Sequence, residues 1–138
     1  MRQGRTLGLD HGTKRIGVAV SDPLGITAQP HSTLDAGDPS LMDVLRNLVM
    51  ELGVERIVVG LPISLDGSEG PAAAAARAFA ALVAESVGVP TELHDERFST
   101  KTAEDAMIEA GARREQRKQS VDRVAAAVFL QTYLDGMR

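Results

Sequence analysis

Cysteine and tryptophan are both missing from the 138 residues, tyrosine occurs once and phenylalanine three times. Without cysteine there are no disulfides and no thiolate metal sites, so any bound metal must be held by oxygen or imidazole. With so few aromatics there is little surface on which bases could stack, and a nucleic acid would have to be gripped through its backbone. No apolar stretch approaches the roughly 20 residues of a membrane span, and the opening "MRQGRTLGLDHG" holds no run long enough for a signal peptide. A cytoplasmic protein is the expectation. A basic excess is lacking too, since the net charge is -4. What is present is 43% hydrophobic and 25% charged residues, the composition of an ordinary globular protein, at a length that suits a single domain over 1–138.

The charge is segregated along the chain. Residues 1–15 carry +3, residues 16–96 carry -9 and residues 97–138 carry +2. If the two ends meet in space, a basic face on an acidic body results. Three strands are expected first, from Arg5 to Asp10, Arg15 to Asp22 and Ile26 to Leu34, with turns short enough for antiparallel pairing. Asp38 and Pro39 read as an N-cap and first residue of a helix carrying Leu41, Leu45, Leu48, Val49 and Leu52, which Gly53 stops. The apolar run Arg56 to Leu61 reads as a strand buried on both faces. A helix from about Ala72 to Val87, closed by Gly88, and a strand "TELHDE" follow. Ser99 or Thr100 can cap a further helix ended by Gly111, and a basic loop "ARREQRKQ" then leads to a last helix from near Ser120 to about Leu134. This order predicts an α/β fold, a five-stranded mixed sheet of three antiparallel and then two parallel strands with helices on both faces.

Three acidic positions stand out. Asp10 ends the first strand at its carboxyl end, where ligands of such sheets bind, although an Asx turn before Gly12 also explains it. Asp95 and Glu96 end the fifth strand; alternation turns one of them toward the side of Leu93, and a solvated pair with Arg97 is the bland account. Asp122 extends the face of Ala126, Phe129 and Tyr133, at i+4, i+7 and i+11, and a place in the first helical turn would let the helix dipole stabilise it. Were Asp10, Glu96 and Asp122 to converge, they could not all stay ionised without a cation between them. A hard divalent ion such as Mg²⁺ or Mn²⁺ suits oxygen ligands, and two such ions can clamp both oxygens of a phosphodiester displacement.

The stretches "LGLDHGTKRIGVAVSD", "VVGLPISLDGSEGP", "HDERFST" and "VDRVAAAVFLQTYL" resemble, in order and over most of the chain, the YqgF/RuvX family of the ribonuclease H-like superfamily, relatives of the junction resolvase RuvC. The resemblance implies a ribonuclease H-like fold and a metal-dependent nuclease, with Asp10, Glu96 and Asp122 as catalytic metal ligands. It implies processing of the 16S ribosomal RNA precursor and, by likeness to RuvC, cleavage of four-way DNA junctions. His11 and His94 flank these positions, but Mg²⁺ and Mn²⁺ favour oxygen.

Lys14 and Arg15 follow Asp10, Arg97 follows Glu96, and Arg113, Arg114, Arg117 and Lys118 precede Asp122. These seven are the expected contacts to a nucleic-acid backbone, with solvated loops as the plainer alternative. Two rivals remain at this stage. One is a nucleic-acid-binding module without catalysis; the other is an ATPase or sugar kinase, whose phosphate loop "LDHGTKRIGVAVSD" also resembles but which needs two such domains. A junction has two strands to cut, so resolution calls for a homodimer, while trimming one RNA strand does not.

Overall fold

Val58 and Val59 are neighbours in sequence and both fully buried, as a strand covered on both faces requires. They lie in β4 (Val54–Leu61) of a computed structural model that describes residues 4–64, 66–95 and 114–137, with the backbone alone for 114–122. The other strands are β1 (Arg5–His11), β2 (Arg15–Ser21), β3 (Ala28–Asp35) and β5 (Thr91–Asp95), and the helices are α1 (Leu41–Leu52), α2 (Pro71–Val87) and α3 (Arg114–Gly136). The sheet order is β3-β2-β1-β4-β5, with β1, β2 and β3 antiparallel and β4 and β5 running parallel to β1. This is the expected mixed sheet.

Alternation along the strands divides the core in two. Leu7, Leu9, Ile57 and Val59 face α1 and α2, where Leu41, Leu45, Phe79 and Val83 complete one cluster. Ala19 and Val58 face the other way and pack on Ala126, Phe129, Leu130 and Tyr133 of α3. The long, alanine-rich α2 can lie close to the sheet because Ala73, Ala76 and Ala80 stand at its buried positions.

Several boundaries differ from the sequence expectation, each for a local reason. The third strand begins at Ala28 rather than Ile26, because the N–H groups of Ile26 and Thr27 are taken by the Asp22 carboxylate at 2.6 and 2.9 Å. Helix α1 starts at Leu41, since Asp38 spends its side chain on the N–H of Ser40 in the preceding turn. Gly53 and Gly88 do end their helices, both in the left-handed conformation at φ +66° and +80°.

The last helix carries the main correction. It begins at Arg114, so Arg114, Arg117 and Lys118 belong to a helix and not to a loop before one. The run "REQRKQS" holds neither Gly nor Pro, and Arg, Glu, Gln and Lys are good helix formers, so nothing in it breaks the helix. Arg113 and the expected helix closed by Gly111 lie outside the described residues, as do Ser99 and Thr100.

Candidate active site at the carboxyl edge of the sheet

Strand β1 is central, antiparallel to β2 on one side and parallel to β4 on the other, so its carboxyl end opens where the sheet changes direction. Asp10 sits there, paired with Gly17 of β2 and half-buried. It shares a strand face with Gly8, and a Cβ placed on Gly8 would lie 3.1 Å from the Cβ of Leu130. Asp10 is thus on the α3 side of the sheet.

The neighbouring His11 points the other way. Its ring stacks on Phe79 of α2 with centroids 4.6 Å apart, and burial there lowers its pKa below the ordinary imidazole value, favouring the neutral ring. The donor that β1 offers on the α3 face at this edge is therefore a carboxylate, which is the ligand chemistry of a hard divalent cation.

Helix α3 runs against β1. Leu130 lies beside Gly8, while Leu134, later in the helix, and Met137 just after it join Thr6, earlier in the strand, and Gly4 just before it around one cavity of about 250 Å³. Earlier residues of α3 consequently lie toward the Asp10 end. Asp122 precedes Leu130 by about 12 Å of helix at 1.5 Å per residue. It is the ninth residue of α3, beyond the first turn over which the helix dipole acts, so the dipole no longer accounts for an acidic residue there.

On β5, Leu93 packs into the α1/α2 cluster and Asp95 shares its face, whereas Glu92 and His94 look toward α3. Glu96 and Arg97 lie outside the described residues. Among the described residues no three His, Asp or Glu side chains gather into a metal site.

The turn joining β1 to β2 brings two basic residues to the same edge. The N–H of Gly12 donates to the carbonyl of Arg15 at 2.9 Å, and a Cβ on Gly12 would come within 2.8 Å of that oxygen. Glycine is what lets the turn close. Thr13, Lys14 and Arg15 are exposed around a shallow depression of about 190 Å³. The loop after β4 reaches this edge as well and is braced internally: Asp66 accepts from the N–H and hydroxyl of Ser68 at 2.9 and 2.6 Å, and Glu69 pairs with Arg77 of α2 at 2.7 Å. The hydrogen bonds from Ser68 hold the Asp66 carboxyl below its ordinary pKa, and Arg77 does the same for Glu69.

A model of the RuvX family, described as "Holliday junction resolvase", matches residues 4–136. The chain belongs to that family. Relatives named "Putative pre-16S rRNA nuclease" include one from Geobacillus kaustophilus, 49% identical over 138 residues and covering 97% of this chain and 99% of its own. Another, from Syntrophomonas wolfei, is 45% identical over 133 residues, covering 96% and 94%. Among solved structures, Thermus thermophilus RuvC in complex with a Holliday junction substrate aligns with a TM-score of 0.56 at 15% identity, covering 97% of this chain and 96% of that one. A second RuvC structure from the same organism gives 0.53. The fold is ribonuclease H-like, and family membership makes the chain a nuclease, a hydrolase of phosphodiester bonds. No described helix is long and apolar enough to cross a membrane.

One group of functional interest escaped the sequence reading. Tyr133, which the helical spacing places on one face with Ala126 and Phe129, accepts from Arg56 at 3.0 Å and donates to Glu92 at 2.5 Å through its hydroxyl. Burial, with the bond to Glu92, raises its pKa and keeps the proton on. The available signal was that a buried tyrosine hydroxyl needs a partner, but sequence could not say which.

Proposed function

We propose that this chain is a single nuclease domain over 1–138, acting in the cytoplasm, that cuts structured nucleic acid at a divalent-metal site formed by Asp10, Glu96 and Asp122. The observation that carries this reading is the pairing of β1 with α3. Asp10 stands on the α3 face at the carboxyl edge, and α3 runs so that Asp122 precedes its contact with Gly8. Even-numbered positions of β5 share that face, and Glu96 is the next even-numbered residue of the sequence. Mg²⁺ or Mn²⁺, as a pair of ions, would supply the Lewis acidity and the activated water of phosphodiester hydrolysis.

The protein's own part is to place carboxylates and to grip the backbone. The β1–β2 ladder fixes the backbone of Asp10, so the carboxylate projects from a rigid element. Lys14 and Arg15 flank it on a turn closed by Gly12 and take phosphates on one side. Arg97, Arg113, Arg114, Arg117 and Lys118 extend the grip from the segments that carry Glu96 and Asp122. With one tyrosine and three phenylalanines, recognition rests on backbone charge and shape. The relatives' name points to precursor 16S ribosomal RNA, and the family description to the four-way DNA junction, for which a homodimer would present two sites.

The test offers end-labelled precursor ribosomal RNA and a synthetic four-way junction side by side, with Mg²⁺ or Mn²⁺, to the protein and to Asp10→Asn. Metal-dependent cutting that the variant loses supports the site, and the better-cut substrate identifies the activity. Binding of both without cleavage would overturn the nuclease reading.

A further inference from the structure

β1 and α3, which carry two of the proposed ligands, are in direct contact. The buried stripe of α3 packs on Ala19 of β2 and Val58 of β4, and between them Leu130 lies against Gly8 of β1. β5, the strand that precedes Glu96 in the sequence, is differently placed. It is an edge strand whose ladder partner is β4, and α3 lies mainly over β1, β2 and β3 on the far side of the sheet. Tyr133 reaches across that gap. Its hydroxyl meets Glu92 of β5 and Arg56 of β4, and the ring of His94, also on β5, stands edge-on to it with centroids 5.5 Å apart. Arg56 closes the triangle, with its Nε 3.7 Å from the same Glu92 oxygen.

A phenylalanine would fill the same space, since the ring is buried among Phe129, Leu130 and Leu134. What the hydroxyl adds is a link between α3 and the strand that leads into Glu96. A shift of about 1 Å between two ligand-bearing elements is enough to spoil a cation site.

We propose that Tyr133 is a positioning residue for the nuclease site, its hydroxyl clamping β5 to α3 through Glu92 and Arg56 so that the strand preceding Glu96 keeps its spacing from the helix that carries Asp122. The inference rests on the metal-site reading above. It assigns no chemical step to Tyr133, which acts through β5 at a distance from the reacting atoms.

Mn²⁺ binding, read by electron paramagnetic resonance of the free ion, is measured for the full chain and for Asp10→Asn, Tyr133→Phe, Glu92→Ala, Glu92→Gln and the double variant Tyr133→Phe/Glu92→Ala. Thermal midpoints and cleavage of the preferred substrate are followed in parallel. The expected result is loss of binding in Asp10→Asn and an affinity weaker by up to about 10-fold in Tyr133→Phe, since partners that bond a ligand directly cost at least that and Tyr133 acts only through β5. Glu92→Ala should match Tyr133→Phe, the double variant should be no worse than either, and Glu92→Gln, which keeps an acceptor oxygen, should recover most of the affinity. In turnover, kcat at limiting Mn²⁺ falls while KM for nucleic acid stays put. If Asp10→Asn loses Mn²⁺ and Tyr133→Phe binds it as the unaltered chain does, the clamp is overturned and the site stands. A fall in the midpoint and activity of Tyr133→Phe without any change in Mn²⁺ affinity also overturns it, leaving a structural role. Failure of the unaltered chain to bind Mn²⁺, or binding unchanged in Asp10→Asn, removes the site and the clamp together.

Discussion

Gly8 of β1 and Leu130 of α3 meet so closely that an added Cβ would sit 3.1 Å from the leucine Cβ and 3.3 Å from its Cδ2. Leu130 is fully buried and its Cβ is fixed to the helix, so it has little room to yield. Gly8→Ala should therefore push α3 off the sheet and cost about 1–3 kcal/mol, the usual penalty of overpacking a filled core. Urea denaturation measures this. Because Asp10 lies two residues along the same strand face, cleavage should fall further than the loss of folded protein explains. Unchanged stability would mean that the β1–α3 contact is softer than the spacing implies.

Replacing Asp10 by asparagine removes a charge from a half-buried strand end and leaves the β1–β2 ladder in place. Circular dichroism and the unfolding midpoint should stay close to those of the parent. Cleavage should drop at least on the order of 10²-fold, the cost of losing one preorganised electrostatic group. Excess Mn²⁺ should restore part of it if the amide oxygen still ligates weakly. Full activity in the variant would exclude Asp10 from the site.

How much of this could be read in the sequence depends on the range of the signal. The mixed sheet was legible, because turn glycines, the helical spacing of Leu41 to Leu52 and the apolar run ending at Leu61 are local patterns. The face of Asp10 was not, since alternation gives two faces and only the packing of Leu130 on Gly8 says which one α3 covers. The start of α3 at Arg114, and not near Ser120, has a related reason. A dense basic run looks like a solvated loop when judged by charge, yet its residues favour helix, and propensity prevailed. The earlier start matters for Asp122, which a helix beginning near Ser120 would place in its first turn and which instead stands two turns in. The link from Tyr133 to Glu92 spans 41 residues of sequence and leaves no local trace.

Lys14 and Arg15 stand exposed beside Asp10 on the turn that Gly12 closes. If each takes one phosphate, Lys14→Ala and Arg15→Ala should weaken binding evenly across sequences, and each should flatten the plot of log affinity against log salt by about one unit. Titrations by fluorescence anisotropy on the preferred substrate, from low to moderate salt, measure both quantities. A loss confined to particular base sequences, with an unaltered slope, would instead make these side chains readers of bases.

At the opposite edge of the sheet, Asp22 organises the turn between β2 and β3. Its carboxylate accepts from the N–H groups of Thr27 and Ile26 at 2.9 and 2.6 Å, while its own N–H donates to the carbonyl of Thr27. These bonds, that from Thr27 first, favour the ionised form and hold the carboxyl below its ordinary value of 3.8. The folded state therefore binds this proton less readily than the unfolded chain does. The stability so gained is present in full above the ordinary value and is lost as the pH falls through the depressed folded value. Thermal midpoints of the parent and of Asp22→Ala should differ at neutral pH and draw together as the pH falls below about 4, the range in which an unperturbed aspartate takes up its proton. High salt should leave the gap almost intact, since the partners are neutral N–H groups and not an opposite charge. A gap that is the same at every pH would show that Asp22 serves the turn by shape alone.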